Sequence, residues 1–231
     1  MAAEAICGRG THFRGMQATA VCGAFGLTIA STGASETALK RAGISDFEKI
    51  YLHPGHHVGY YPGAKPIHLK VLFRRSDGRI LGAQAVGEEG VEKRIDVIAM
   101  ALQLGGTVHD LSEAELCYAP QFGAAKDPVN LAGFIAENVR SGDLPLARRD
   151  QVGLVLDVRD PDECQGGMIA GAVNIPLAQL RQRLAELPTD RPINVVCAVG
   201  QRAYYAVRIL RQRGFDARHF SGGMQTVTTL G

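Results

Sequence analysis

"VVCAVGQRAYYAVRIL", residues 195–210, ends an apolar run in Cys197, sets Gly200 three residues on and Arg202 two beyond it, and continues as a helix. If residues 193–197 ("INVVC") form a central strand, Cys197 lies at its carboxyl end, where open α/β sheets place their ligand sites. The loop Cys197-Ala198-Val199-Gly200-Gln201-Arg202 is short enough for its backbone N–H groups to curl around the sulfur beside the positive end of a helix. Both favour an anion, so a thiolate nucleophile is expected, with Arg202 available for a further negative group. Gly200 supplies the backbone freedom that so tight a loop needs. The plain rival is that Cys197 is a small buried hydrophobe ending a core strand, as most cysteines in apolar runs are.

The flanking sequence alternates in the same style. "GLVLDVR" (153–159) reads as a strand, "LAQLRQRLAEL" (177–187) as a helix, residues 201–214 as a helix and "ARHF" (217–220) as a strand. Regular alternation with continuous apolar strands implies a small parallel α/β sheet covered on both faces.

The first part of the chain follows other rules. Residues 14–24 read as a short helix or its end, and "LTIAST" (27–32) as a buried strand. "SETALKRAG" (35–43) opens on Ser35 as N-cap and closes on Gly43, which marks one compact helix. Asp77-Gly78 between "IHLKVLF" and "RILGAQAVG" is a hairpin signal, so an antiparallel pair is expected. Ile95, Ile98, Ala99 and Leu102 recur at helical spacing, and a second helix covers residues 128–140. Helices on one face of an antiparallel sheet, an α+β layer, is the expected arrangement. "SGDLPLARRD" (141–150) mixes Gly, Pro and charge without period and reads as a linker between domains at 1–140 and 151–231.

Bulk properties exclude several classes. Twenty-five Lys and Arg against 23 Asp and Glu, a formal +2 with no long basic run, leaves no footprint for nucleic acid or a membrane surface. No stretch has the length of a bilayer span or the pattern of a secretory signal, so a cytoplasmic location is expected. The five cysteines are odd in number and never spaced Cys-x-x-Cys, which predicts free thiols rather than disulfides or zinc. His53, His56 and His57 in "HPGHHVGYYPG" lack a second ligand group nearby, so no metal site is expected and the segment reads as a loop carrying exposed histidines.

Two longer motifs move the balance at Cys197. The Cys-x-x-Gly-x-Arg spacing together with "LDVRDPDE", "GGMIAGAVNIPL" and "SGGM" resembles a single-domain rhodanese over roughly residues 152–231. That resemblance implies that Cys197 takes a sulfane sulfur, holds it as a persulfide among the loop N–H groups (Ala198, Val199, Gly200, Gln201), and passes it to a thiol or cyanide. It also implies that Asp157 and Arg159 support the site. A phosphatase loop would need one more residue between cysteine and arginine to surround a phosphate. The chain departs from the rhodanese pattern at Gly167-Met168-Ile169, where many members have Gly-His-Ile.

"AICGRGTHFRGMQATAVCGAFGLTIASTG", "HVGYYPGAKPIHLKVLF", "GAQAVGEEGVEKRIDVIAMAL" and "CYAPQFGAAKDPVNLAGFIAEN" resemble the C-terminal interface domain of pyridine-nucleotide disulfide oxidoreductases, and among them the coenzyme A-disulfide reductases with a fused rhodanese. Gln121 stands where relatives usually have a second proline. The resemblance implies a homodimer in which Tyr60 and Tyr118 serve the partner's active site, as phenol donors suit a developing thiolate. Read without it, Tyr60 packs a turn and Tyr118 is a loop residue with its hydroxyl in water.

No Gly-x-Gly-x-x-Gly follows a strand anywhere, so no FAD or NAD(P)H is expected to bind this chain alone, although FAD, NAD(P)H and coenzyme A are implied for full-length relatives. Three readings of function follow. The first is a rhodanese-type sulfurtransferase on a dimerisation domain, with small sulfur donors and thiol acceptors. The second is the C-terminal part of a coenzyme A-disulfide or polysulfide reductase, acting with a flavin- and NAD-binding partner chain. The third is a non-catalytic dimerisation and sulfur-binding module.

Overall fold

The computed structural model describes residues 2–10, 13, 15–148 and 152–229. After a short helix α1 (Ala2–Ile6), strands β1 (Ala20–Ala24), β2 (Leu27–Gly33), β3 (Glu48–Leu52), β4 (Ile67–Phe73) and β5 (Ile80–Gly87) form an antiparallel sheet in the order β1-β2-β5-β4-β3. The other helices of this part are α2 (Glu36–Arg41), α3 (Val91–Gln103), α4 (Val108–Ser112) and α5 (Pro128–Arg140). Ile67, Leu69, Val71 and Phe73, alternate residues of β4, are buried in a core with Ile95 and Ile98 of α3 and Val129, Ala132 and Ala136 of α5. Each large apolar side chain removed from water there is worth roughly 1.5–3 kcal/mol. Ser35 caps α2 by accepting from Ala38 N, and α5 starts where the Asp127 carboxylate accepts from Val129 N with proline at the first turn.

Several elements differ from the sequence reading. Residues 20–24 are a strand, not a helix: Phe25 and Gly26 both take positive φ (53° and 78°) and turn the chain back so that β1 pairs with β2. Such a turn matches the twist of paired strands. β1 has no buried residue, so the alternation that normally betrays a strand is missing from its sequence. β2 is only partly buried, with Ala30 and Thr32 inside. β3 and α4, too short to leave a periodic signature, are additional. His56 and His57 are buried rather than exposed, and the Lys65 backbone N–H donates to His56 Nδ1 (2.9 Å). Among the described residues no group of three or more metal-ligating side chains comes together.

The second part is a parallel sheet in the order β7-β6-β8-β9, from β6 (Leu154–Asp157), β7 (Val173–Asn174), β8 (Ile193–Val196) and β9 (Ala217–His219). Its helices are α6 (Pro161–Cys164), α7 (Leu177–Leu180), α8 (Gln201–Arg211) and α9 (Gly223–Thr229). The single helix expected over 177–187 is two pieces, α7 and a 3-10 turn at Leu184–Glu186. Leu187 must leave helical geometry because Pro188 follows it, and its backbone is extended (ψ 140°). Leu156, Val195, Ala203, Val207 and Leu210 make a second core, which Leu144 also enters. No helix among the described residues is long and apolar enough to cross a membrane.

The two halves are joined by more than the connecting chain. Ile135 and Val139 of α5 pack against both cores. The Tyr51 N–H on β3 donates to Ser221 Oγ (2.8 Å), and His53 Nε2 meets Thr226 Oγ1 of α9 (2.8 Å). The other face of His53 meets His68, Nδ1 to Nδ1 at 2.8 Å, a hydrogen bond that needs one nitrogen protonated and the other bare. Burial, then the neighbouring His68, pulls the His53 pKa from 6.5 to about 4. The unfolded chain therefore binds a proton from about pH 6.5 downward while the folded one resists until about 4, so stability falls as the pH drops through that window. The melting temperature should decline between those limits and do so less steeply in His53→Gln; equal slopes would count against His53.

Candidate active site

Cys197 follows β8 directly and is 1% exposed. The chain then rises through Gly200, whose φ of +100° turns its N–H inward, and enters α8. The Gly200 and Ala203 N–H groups donate to Cys197 Sγ at 3.2 and 3.3 Å. The sulfur thus accepts from the first turn of α8 as a capping oxygen would, where unpaired N–H groups and the helix dipole favour negative charge.

The loop is held from outside by α9. Met224 N donates to Cys197 O (2.8 Å) and Gln225 N to Ala198 O (3.0 Å). Gly223 is the contact point, since a Cβ there would lie 2.3 Å from Cys197 O. His219, which sequence reasoning did not single out, is buried at the end of β9 with Nε2 2.9 Å from Gly200 O. A carbonyl only accepts, so Nε2 carries the proton; burial holds the ring below its ordinary pKa and hence neutral. Val199 and Gln201 are exposed on the loop's outer side. A cavity of about 560 Å³ opens beside them between the two halves, with Gly200 and Tyr204 on one wall and His53 and Lys126 on the other.

Arg202 does not stand free. Its Nη1 and Nη2 donate to the two carboxylate oxygens of Glu163 at 2.6 Å each, and Nη1 also reaches Asp160 Oδ2 (3.3 Å). Glu163 is held well below the usual carboxylate range, at about 2, chiefly by that Arg202 hydrogen bond. Sequence reasoning missed Glu163; the signal that could have placed it is the capping box of "DPDE", in which Glu163 accepts from Asp160 N (3.0 Å) with Pro161 at the first turn.

Asp157 and Arg159 hold α6 in place and do not touch Cys197. Arg159 donates to Asp157 Oδ2 (2.7 Å) and to the carbonyls of Glu163 (3.2 Å) and Gly167 (2.8 Å), both residues being buried. Support thus runs from Asp157 through Arg159 to α6, whose Glu163 meets Arg202.

Tyr60 and Tyr118 lie elsewhere, on two loops of the first sheet. Arg94, buried and paired with Asp127 (2.8 Å), donates to His56 O (2.6 Å) and so ties the loop before Tyr60 to the loop after Tyr118. The two hydroxyls meet at 3.0 Å with both rings exposed, and neither bonds the Cys197 loop. The Tyr60 hydrogen bond raises the Tyr118 pKa above the ordinary phenol value. Tyr60→Phe should therefore lower it, which ultraviolet titration would read; an unmoved titration would mean that the pair does not persist.

Residues 19–128 match the family model for the pyridine nucleotide-disulphide oxidoreductase dimerisation domain, and residues 143–229 match that for the rhodanese-like domain, with Cys197 inside the second. The chain joins a disulphide oxidoreductase dimerisation domain to a rhodanese-like domain. The fold is similar to that of reduced Bacillus anthracis CoADR-RHD, which superposes over 99% of this chain and 42% of its own with a TM-score of 0.95 and 40% identity. An NAD-dependent persulfide reductase from A. fulgidus gives 0.86 over 96% of this chain and 41% of its own, at 37% identity. The coenzyme A disulfide reductase of Staphylococcus epidermidis is 39% identical over 136 residues, 58% of this chain. The chain spans about 30% of the length of that curated relative.

Neither of two parallel-strand turns in the rhodanese-like domain carries the glycine fingerprint of a dinucleotide site. The turns that follow the parallel strands β6 and β8 lack Gly-x-Gly-x-x-Gly, and the second is taken up by the Cys197 loop.

Proposed function

We propose that this chain is a sulfurtransferase that carries a persulfide on Cys197, with the dimerisation domain pairing two copies. The observation that carries the reading is the pair of N–H donors, from Gly200 and Ala203, on the Cys197 sulfur. In the first step the Cys197 thiolate attacks the sulfane sulfur of a donor; one S–S bond forms as the donor's bond breaks, and the leaving group takes the electron pair. In the second, an acceptor thiolate attacks the outer sulfur and Cys197 departs as a thiolate onto the same two N–H groups. Dividing the transfer in this way gives each step a stabilised leaving group. Val199, Gln201 and the adjoining cavity would meet the body of donor and acceptor, and Ala198 shapes the loop. Intact-mass spectrometry after incubation with a sulfane-sulfur donor tests the reading: a gain of one sulfur that an added thiol removes supports it, and no gain from any donor overturns it.

A second reading rests on the exposed Tyr60–Tyr118 hydroxyl pair. On it the chain is the C-terminal part of an FAD- and NAD(P)H-dependent reductase of coenzyme A disulfide or polysulfide, and the two phenols act in a partner's site. Flavin-dependent NADH oxidation on mixing with a nucleotide-binding partner chain, lost in Tyr60→Phe/Tyr118→Phe, would support it. Both readings want a homodimer, the commonest closed symmetry, so a monomer by light scattering would count against each.

A further inference from the structure

The one cation of the Cys197 loop is already engaged. Arg202 is the one Lys or Arg between Val196 and Ala206. Both of its terminal nitrogens are bonded to Glu163, one of them also to Asp160, so one cation faces two carboxylates at the loop. Fork-to-carboxylate pairing of this kind is the strong form of an ion pair, and it is only partly exposed. Glu163 is itself fixed from behind, because Arg159 binds its carbonyl and the Asp160 N–H binds its side chain.

We infer that Glu163 sets donor choice at Cys197: by holding Arg202 on both terminal nitrogens it withholds the loop's cation from donors that leave as a dianion. The inference rests on the sulfurtransferase reading. With thiosulfate, the Cys197 thiolate takes the outer sulfur, the S–S bond to the sulfonate breaks, and sulfite departs with the electron pair as a dianion. With an alkyl persulfide the same attack expels a thiolate, a monoanion that water protonates to the thiol. The first donor must displace Glu163 from Arg202 or approach against Glu163 and Asp160; the second need not. Specificity here comes from repulsion as much as from attraction.

Glu163→Gln keeps an oxygen for Arg202 and for the Asp160 N–H while removing the charge. The test measures second-order rates of sulfur loading on Cys197 by intact mass, for thiosulfate and for the persulfide of 2-mercaptoethanol, in the full chain. The thiosulfate-to-persulfide rate ratio should rise about tenfold in Glu163→Gln, the scale of one partly exposed charge at a binding site, mostly through the concentration of thiosulfate that half-saturates loading. Asp162→Asn removes a neighbouring charge that does not touch Arg202 and should leave the ratio within about twofold. An unmoved ratio in Glu163→Gln, or an equal rise in Asp162→Asn, would overturn the inference while leaving Cys197 as carrier. Absence of loading from both donors in the wild type would overturn the sulfurtransferase reading and the inference with it.

Discussion

Cys197→Ser should load no sulfur, a fall of at least about 10³-fold in rate, because the hydroxyl is a weak nucleophile with no base beside it. The fold should be kept. A serine oxygen at the same place, buried to within 1% of full enclosure, accepts from the Gly200 and Ala203 N–H groups as the sulfur does. Intact mass read beside a thermal melt checks both halves of this expectation. A mutant that melts normally and still gains sulfur would move the carrier to another thiol, such as the half-buried Cys164. Burial raises the pKa of that thiol, which makes it the poorer nucleophile at neutral pH.

Asp157→Ala should be the most damaging change to stability in the rhodanese-like domain. Asp157 is fully buried and accepts from the Arg159 side chain and from the Arg159 N–H. Its removal leaves Arg159, only 7% exposed, without its hydrogen-bonded counter-charge, which costs about 3–5 kcal/mol, a large part of the roughly 5–15 kcal/mol that holds a domain folded. Because Arg159 also anchors α6, the Glu163–Arg202 pair should loosen, and sulfur loading should become less selective before it is lost. Urea denaturation would read the shift. Asp157→Asn, which keeps the hydrogen bonds and loses the charge, should fall between. A change below about 1 kcal/mol in Asp157→Ala would mean that water or a shifted carbonyl compensates Arg159.

Local signals carried much of the fold. The Asp77-Gly78 turn, the Ser35 cap and the start of α5 at Asp127-Pro128 are written in neighbouring residues, and each stands in the structure where short-range rules put it. Cys197 and its loop were legible for the same reason, since a strand end, a glycine and a helix start lie within six residues. Elements whose own residues carry a weak or misleading pattern were read wrongly or not at all. β1 is a strand because β2 pairs with it, and nothing in Ala20–Ala24 alternates. The helix over 177–187 had the right apolar spacing, but Pro188 and the need to bring Leu187 inward divide it.

The site shows the same division. By itself the sequence determined that Cys197 lies between a strand end and a helix start, that the loop after it can present N–H groups to its sulfur, and that an antiparallel domain precedes a parallel one, because those facts depend on order and spacing along the chain. Only the tertiary structure decided that Arg202 is held by Glu163, that His219 braces Gly200, that Tyr60 and Tyr118 share a hydrogen bond, and that His53 and Thr226 join the two halves. Those pairs lie from 19 to 173 residues apart. Charge and hydrogen-bond partners are chosen by distance in space, and no local propensity encodes them.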